Sequence, residues 1–305
     1  MMVRRQSMEV PMHPIRRYTL LALGISWVLV LPLVLRGLGL IPLELSPLWH
    51  ALGALGPVTA AFILRRSADP GFRLRDLYRR QGSLEGRVAT TAGRFGTPGR
   101  PKGIGTAWTA AFLITPLIFL GIAWIVAAIT GRPVDNQALL RTASSPAWLA
   151  NLLVGSVAYG FGEEPGWRGW LLPRLQEKHD AVRSTLILSL IWAVWHTPFF
   201  AYRYDFSAGT IAGFYVGLLA GAFWLTFLFN STAGSVMAVV VWHVVWNVAN
   251  LVAASASPMI VTVLNVLAIV LGFGVAIVWG RRDLTMRPRR TPGAPSGRSG
   301  AERAG

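Results

Sequence analysis

Cysteine is absent from the 305 residues, which removes disulfides, thiolate metal sites and a cysteine nucleophile together. Its absence says nothing of the redox compartment. Charge is nearly as scarce: Asp, Glu, Lys and Arg make up 14% of the chain against 53% hydrophobic residues, and only 13 residues are acidic. A soluble chain of this length needs a polar exterior. Charge confined to a few clusters cannot supply one, so the long uncharged runs require lipid around them.

The charge that is present is basic, +16 in all, which on its own would suggest a phosphate binder. Position argues against nucleic acid. Of the 29 Lys and Arg, all but Arg36, Arg132, Arg141 and Arg203 fall within 1–17, 65–107, 162–183 and 280–305. If eight helices cross the bilayer from a cytoplasmic N-terminus, these four rich segments lie inside and the four lone arginines outside, as the positive-inside rule expects. The basic start resembles a signal sequence, but no small-residue cleavage site follows and the apolar run from Tyr18 continues to Leu35. It reads as a retained first helix.

Eight segments meet or approach the roughly 20 residues that a bilayer core demands: 18–35, 48–64, 107–129, 147–164, 184–201, 210–229, 234–254 and 259–279. The expected fold is all-α and polytopic, with both termini cytoplasmic and a transmembrane domain over 18–282. A basic cytoplasmic stretch, 1–17, precedes it. Within the basic loop 65–106, Phe72 to Arg80 mixes apolar and basic residues in the manner of a short helix on anionic headgroups. Gly82 to Gly105 has no apolar period and reads as loop. The tail 283–305, rich in Pro, Arg, Gly and Ser, reads as disordered. Gly160 and Gly162 lack the strand context of a dinucleotide loop and read as points of close helix approach.

Ionisable groups inside apolar helices each cost about 2.5–3.5 kcal/mol on insertion scales, so they need partners, water or a task. Three clusters stand out. In Gly162-Glu-Glu-Pro-Gly-Trp-Arg168, Pro165 predicts a bend or restart of the helix, with room for water beside Gly162 and Gly166. Glu164 and Arg168 stand four apart and face one side, as an ion pair would. Glu163 points about 100° away without that partner, which makes it the better candidate for a general base. A Glu and Arg pair that merely closes a helix end is the plain alternative. The second cluster is His196, about 18 Å into its span, in a helix where Trp192, Trp195 and Phe199 read as wall and packing residues. The third is His243 and Asn247, again four apart and on one face, suited to donating to an oxyanion or to tying helices together.

These residues resemble, in order, the three motifs of the CAAX-protease and bacteriocin-processing (CPBP) intramembrane proteases, the Abi or type II CAAX prenyl endopeptidase group. Glu163-Glu164-Pro-Gly-Trp-Arg168 looks like Glu-Glu-x-x-x-Arg, His196 like the histidine of Phe-x-x-x-His, and His243 with Asn247 like His-x-x-x-Asn/Asp. The core of the resemblance is about 147–254. Trp192 stands where the second motif has Phe.

The resemblance implies a peptidase that acts on a peptide or protein substrate in or at the bilayer, in a multi-pass protein of the plasma membrane. Glu163 and His196 would activate water, His243 and Asn247 would receive the oxyanion, and Arg168 would fix Glu164. It leaves the cofactor open between zinc, with Glu163, His196 and His243 as ligands and water fourth, and none; metal-independent activation is the preferred version. The competing reading is a non-catalytic scaffold or bacteriocin-immunity protein using the same polar cluster to bind a partner. A transporter is the more distant rival.

Overall fold

Helix starts follow local rules along most of the chain. A computed structural model describes residues 13–79, 104–132, 134, 136–203, 207–280 and 283–286. The expectations for 1–12, for the loop up to residue 103 and for the tail beyond 286 lie outside the described residues. Helix α1 (Pro14–Gly37) opens with His13 accepting from the Ile15 amide and with Pro at its first position. Serines cap α10 (Ala208–Ser231), α11 (Val236–Ala256) and α12 (Pro258–Trp279), and Asp180 caps α9 (Ala181–His196). A 3-10 segment, Pro47–Ala54, leads into α2 (Leu55–Ala68). Another, Leu74–Tyr78, occupies the stretch expected to lie on the headgroups. The described residues contain no strand, and the protein is an all-α, multi-pass membrane protein.

Among the described residues, six helices are long and apolar enough to cross a bilayer, or seven if α3 (Thr106–Leu113) and α4 (Thr115–Ile129), bent by 45°, form one span. They account for every expected span except 147–164. Their outer faces are apolar, with Ile277 81% and Ile129 77% exposed, as a lipid-facing surface requires.

The fourth expected span falls within one helical run, Pro146 to Gln176. The run follows α5 (Asn136–Ala143) and comprises α6 (Pro146–Ala150), a π segment Asn151–Gly155, α7 (Ser156–Gly166), a second π segment Trp167–Leu171 and α8 (Leu172–Gln176). The helix does not stop and restart at Pro165; it continues through it and widens into the π segment two residues later. Pro165 removes the donor that would have met the Phe161 carbonyl and crowds that oxygen. Tyr78 supplies the missing bond, its hydroxyl donating to Phe161 O at 2.9 Å. Burial pushes the Tyr78 phenol above its usual range, which keeps the proton that the bond needs.

The room for water expected beside Gly162 and Gly166 is likewise filled by backbone. A Cβ on Gly166 would stand 2.5 Å from Pro57 O, and one on Gly162 would run into Ala54 O. On the other flank of α7, Gly160 faces Val240 O and Val244 of α11 at similarly short range. The expectation of close helix approach at Gly160 and Gly162 is met, and α7 is clamped between α2 and α11.

Gly162→Ala should therefore lower the melting temperature in detergent by an amount matching a loss of at least about 1–3 kcal/mol, the usual cost of overpacking. Gly221→Ala, whose added Cβ meets nothing within 4 Å, is the control. Equal melting of the two variants would sink the packing argument.

The ends of the bundle differ in charge. At one end His13 meets Lys178 at 2.9 Å, Gln176 donates to Asn230, Asn230 donates to Asp283 O, and the Ile104 amide donates to Ser231 O. Lys178 lies at this end, and Arg65 and Arg174 stand within electrostatic reach of Glu177 beside it. At the other end Trp148 donates to Ser255, Thr130 approaches Met259, and the end of α1, carrying Arg36, lies against Ala201 and Tyr202 beside Arg203.

Candidate functional site

The two adjacent glutamates are both buried, at 3% exposure for Glu163 and 0% for Glu164, yet they are held differently. Because the helix continues through Pro165, Arg168 returns to the same face as Glu164. Its Nη1 donates to both carboxylate oxygens, at 3.0 and 2.9 Å. From α11, His243 Nδ1 donates to Glu164 Oε1 at 2.6 Å. Both oxygens of Glu164 are thus committed to cations or N–H donors, as a charge at this depth demands.

Glu163 makes no ion pair among the described residues. Two indoles hold it, both through Oε2: Trp192 Nε1 at 2.7 Å from α9 and Trp167 Nε1 at 3.2 Å from the turn above. Among the described residues its Oε1 accepts no hydrogen bond, and that oxygen is not sealed from the surroundings.

Of the remaining motif residues, His196 is linked to this pair through Trp192, and Asn247 lies one turn from His243. His196 closes the last turn of α9, its Nδ1 donating to the Trp192 carbonyl at 2.8 Å. Its ring is edged by Trp195, Phe199 and Phe214. Trp192 lies between the two histidines, with ring centroids 5.5 Å from His196 and 6.3 Å from His243. No hydrogen bond joins His196 to Glu163. One turn beyond His243 on the same face, Asn247 Nδ2 is buried with no partner, an uncommon condition for an amide and a sign of an acceptor yet to arrive.

Arg168 has its own shortfall. Nε and Nη2 lack partners although the side chain is fully buried. The guanidinium carbon sits 4.7 Å from the Trp192 ring centroid, so the indole face offsets part of that loss.

The resemblance leaves the cofactor open between zinc and none. No three His, Cys, Asp or Glu side chains among the described residues converge on a point that could hold a metal ion. Glu163 is turned to two indoles, His243 to Glu164 and His196 to a carbonyl. As they stand, the donors named for a ligand triad do not fit the ion.

Sequence reasoning missed three contributors. Trp192 reads as wall and packing, and Trp167, one turn from Glu163, carries no assigned role; the indole N–H of each is the signal that could have found them. Tyr18 of α1 is fully buried, stacks on Trp170 at 4.6 Å and leaves its hydroxyl unpartnered. No local pattern singles it out. Outside the cluster, His50 and the Tyr202 hydroxyl meet at 2.5 Å.

What fold and cluster define together is a multi-pass membrane protein with a buried, asymmetric carboxylate pair, one member held by Arg168 and His243 and the other by two indoles. Part of the chain is similar to a known family. Residues 145–249 match the model for type II CAAX prenyl endopeptidase Rce1-like, so the segment that builds the site is similar to that family, as its three motifs indicate. A curated protein of Methanococcus maripaludis, CAAX prenyl protease 2, is 23% identical over 92 residues, which is 28% of this chain and 34% of the relative. The match thus spans about a third of that relative's length.

Proposed function

We propose that this chain is an intramembrane endopeptidase that hydrolyses a peptide bond near the cytoplasmic face, with Glu163 as the base. The observation that carries this reading is the unequal holding of the two glutamates. Glu164 has both oxygens engaged and serves structure and charge, whereas Glu163 is anchored by one oxygen and keeps the other for water.

Glu163 Oε1 takes a proton from a water whose oxygen attacks the peptide carbonyl carbon. The oxyanion is received by His243 through Nε2 and by Asn247 through Nδ2. As the C–N bond breaks, the proton held on Glu163 passes to the leaving amine. The Glu164 carboxylate on Nδ1 gives a His243 that donates from both nitrogens its counter-charge. His196, in the last turn of α9, orients the water or the peptide from the other side of the Trp192 ring.

In this reading the protein sits in the plasma membrane, with the basic end of the bundle cytoplasmic as the positive-inside rule expects. The name of the curated relative makes a prenylated CAAX peptide the first substrate to offer.

The test is cleavage of an internally quenched prenylated CAAX peptide by the purified chain in liposomes. His243→Ala should lower kcat by about 100-fold, the usual cost of an oxyanion donor, with KM changed less than threefold. Unchanged kcat with a raised KM would move His243 from the oxyanion to substrate binding.

A further inference from the structure

Trp192, at the first position of the second motif, touches four other residues of the site: Glu163, Arg168, His196 and His243. Its N–H makes the shorter of the two bonds to Glu163, 2.7 Å against 3.2 Å from Trp167. Its ring lies beneath the Arg168 guanidinium at 4.7 Å and edges both His196 and His243. Its backbone carbonyl accepts from His196 Nδ1. The two glutamates are neighbours in sequence but point about 100° apart, and no hydrogen bond joins their side chains. The path between them runs from Glu164 through Arg168, across the Trp192 ring, to Glu163 Oε2.

We propose that Trp192 is a positioning residue that holds Glu163 by Oε2, leaving Oε1 as the single oxygen presented to water, and that couples this posture to the Glu164 and Arg168 pair. A phenylalanine would fill the same wall but could not donate. An unheld carboxylate turns about its terminal bond and offers its oxygens indiscriminately, so a base fixed by one oxygen begins each turnover already aimed. The cation over the indole face draws electron density from the ring and strengthens its N–H as a donor. This role rests on Glu163 being the base, and it adds a second residue to that assignment.

The experiment uses the full chain in liposomes with the quenched prenylated CAAX peptide. Trp192→Phe should lower kcat about tenfold, within the range for a hydrogen bond to a charged group, with KM within twofold of wild type. Trp192→3-benzothienylalanine keeps the bicyclic shape and replaces N–H by sulfur, so it should show the same kcat loss even if the phenylalanine variant packs badly. A spectroscopic readout needs no turnover. The indole ¹⁵N–H resonance of Trp192, identified by its disappearance in Trp192→Phe, should move when Glu163→Gln is introduced.

Wild-type kcat in the benzothienylalanine variant, or an indole resonance indifferent to Glu163→Gln, would overturn the role while leaving the protease reading intact. A wild-type chain that cleaves no membrane peptide offered would overturn the protease reading, and this role with it.

Discussion

Glu163→Gln should reduce cleavage at least about 100-fold, the lower bound for loss of a general base, in a protein that still inserts and melts near the wild-type temperature. The substitution is close to isosteric, and a side-chain carbonyl can still accept from Trp192 and Trp167. Glu163 makes no ion pair among the described residues, and His243 keeps Glu164 as its direct partner, so stability is expected to change little. Turnover of the quenched peptide in liposomes, with thermal melting of the same preparation, separates the two effects. Cleavage at the wild-type rate would remove Glu163 as base and turn attention to His243, which already has a carboxylate on Nδ1. If a cellular phenotype of the chain were rescued equally by wild type and Glu163→Gln, the scaffold reading would replace the protease reading.

Arg168→Met should be the most destabilising single change at the site, at about 3–5 kcal/mol, the usual cost of stranding one half of a buried ion pair. Glu164 is 0% exposed and would keep only His243 as a partner. The Glu164→Gln and Arg168→Met double variant removes both charges, so it should recover much of that stability. It should remain inactive because His243 loses its anion. The measurement is a melting series of the three variants beside their turnover. A double variant no more stable than Arg168→Met alone would show that the pair is not the source of the loss.

Features set by nearest neighbours along the chain were legible in the sequence. Apolar length and the clustering of basic residues announced a membrane bundle, because the bilayer imposes those properties on each segment separately. The Glu164 and Arg168 pair was legible for the same reason, being one turn of a single helix. What the sequence hid depends on distant partners. Pro165 signalled a break, but the orphaned Phe161 carbonyl is met by Tyr78, 83 residues away. His243 was readable as a donor and not as a partner of Glu164, 79 residues distant. Trp192 read as wall because its aromatic bulk is visible in any sequence, while the aim of its N–H exists only once α9 lies beside α7. The glycines around the glutamates suggested water and proved to be the surfaces through which α2 reaches them.

The π segment Trp167–Leu171 amounts to one residue more than an α-helix of the same length would use. Its effect resembles slack let into a shaft: the extra residue is taken up in the wide turn, and the two halves keep the facings of an uninterrupted helix. The half that bears Glu163 and Glu164 packs on α2 and α11, while the half that ends in Arg174 and Gln176 reaches Asn230 and the basic end. Deleting one residue from Trp167–Leu171 would close an ordinary turn and leave both sets of contacts in register. Deleting one from α7 would turn the halves about 100° against each other, so a change in length is borne best where the helix is already widened.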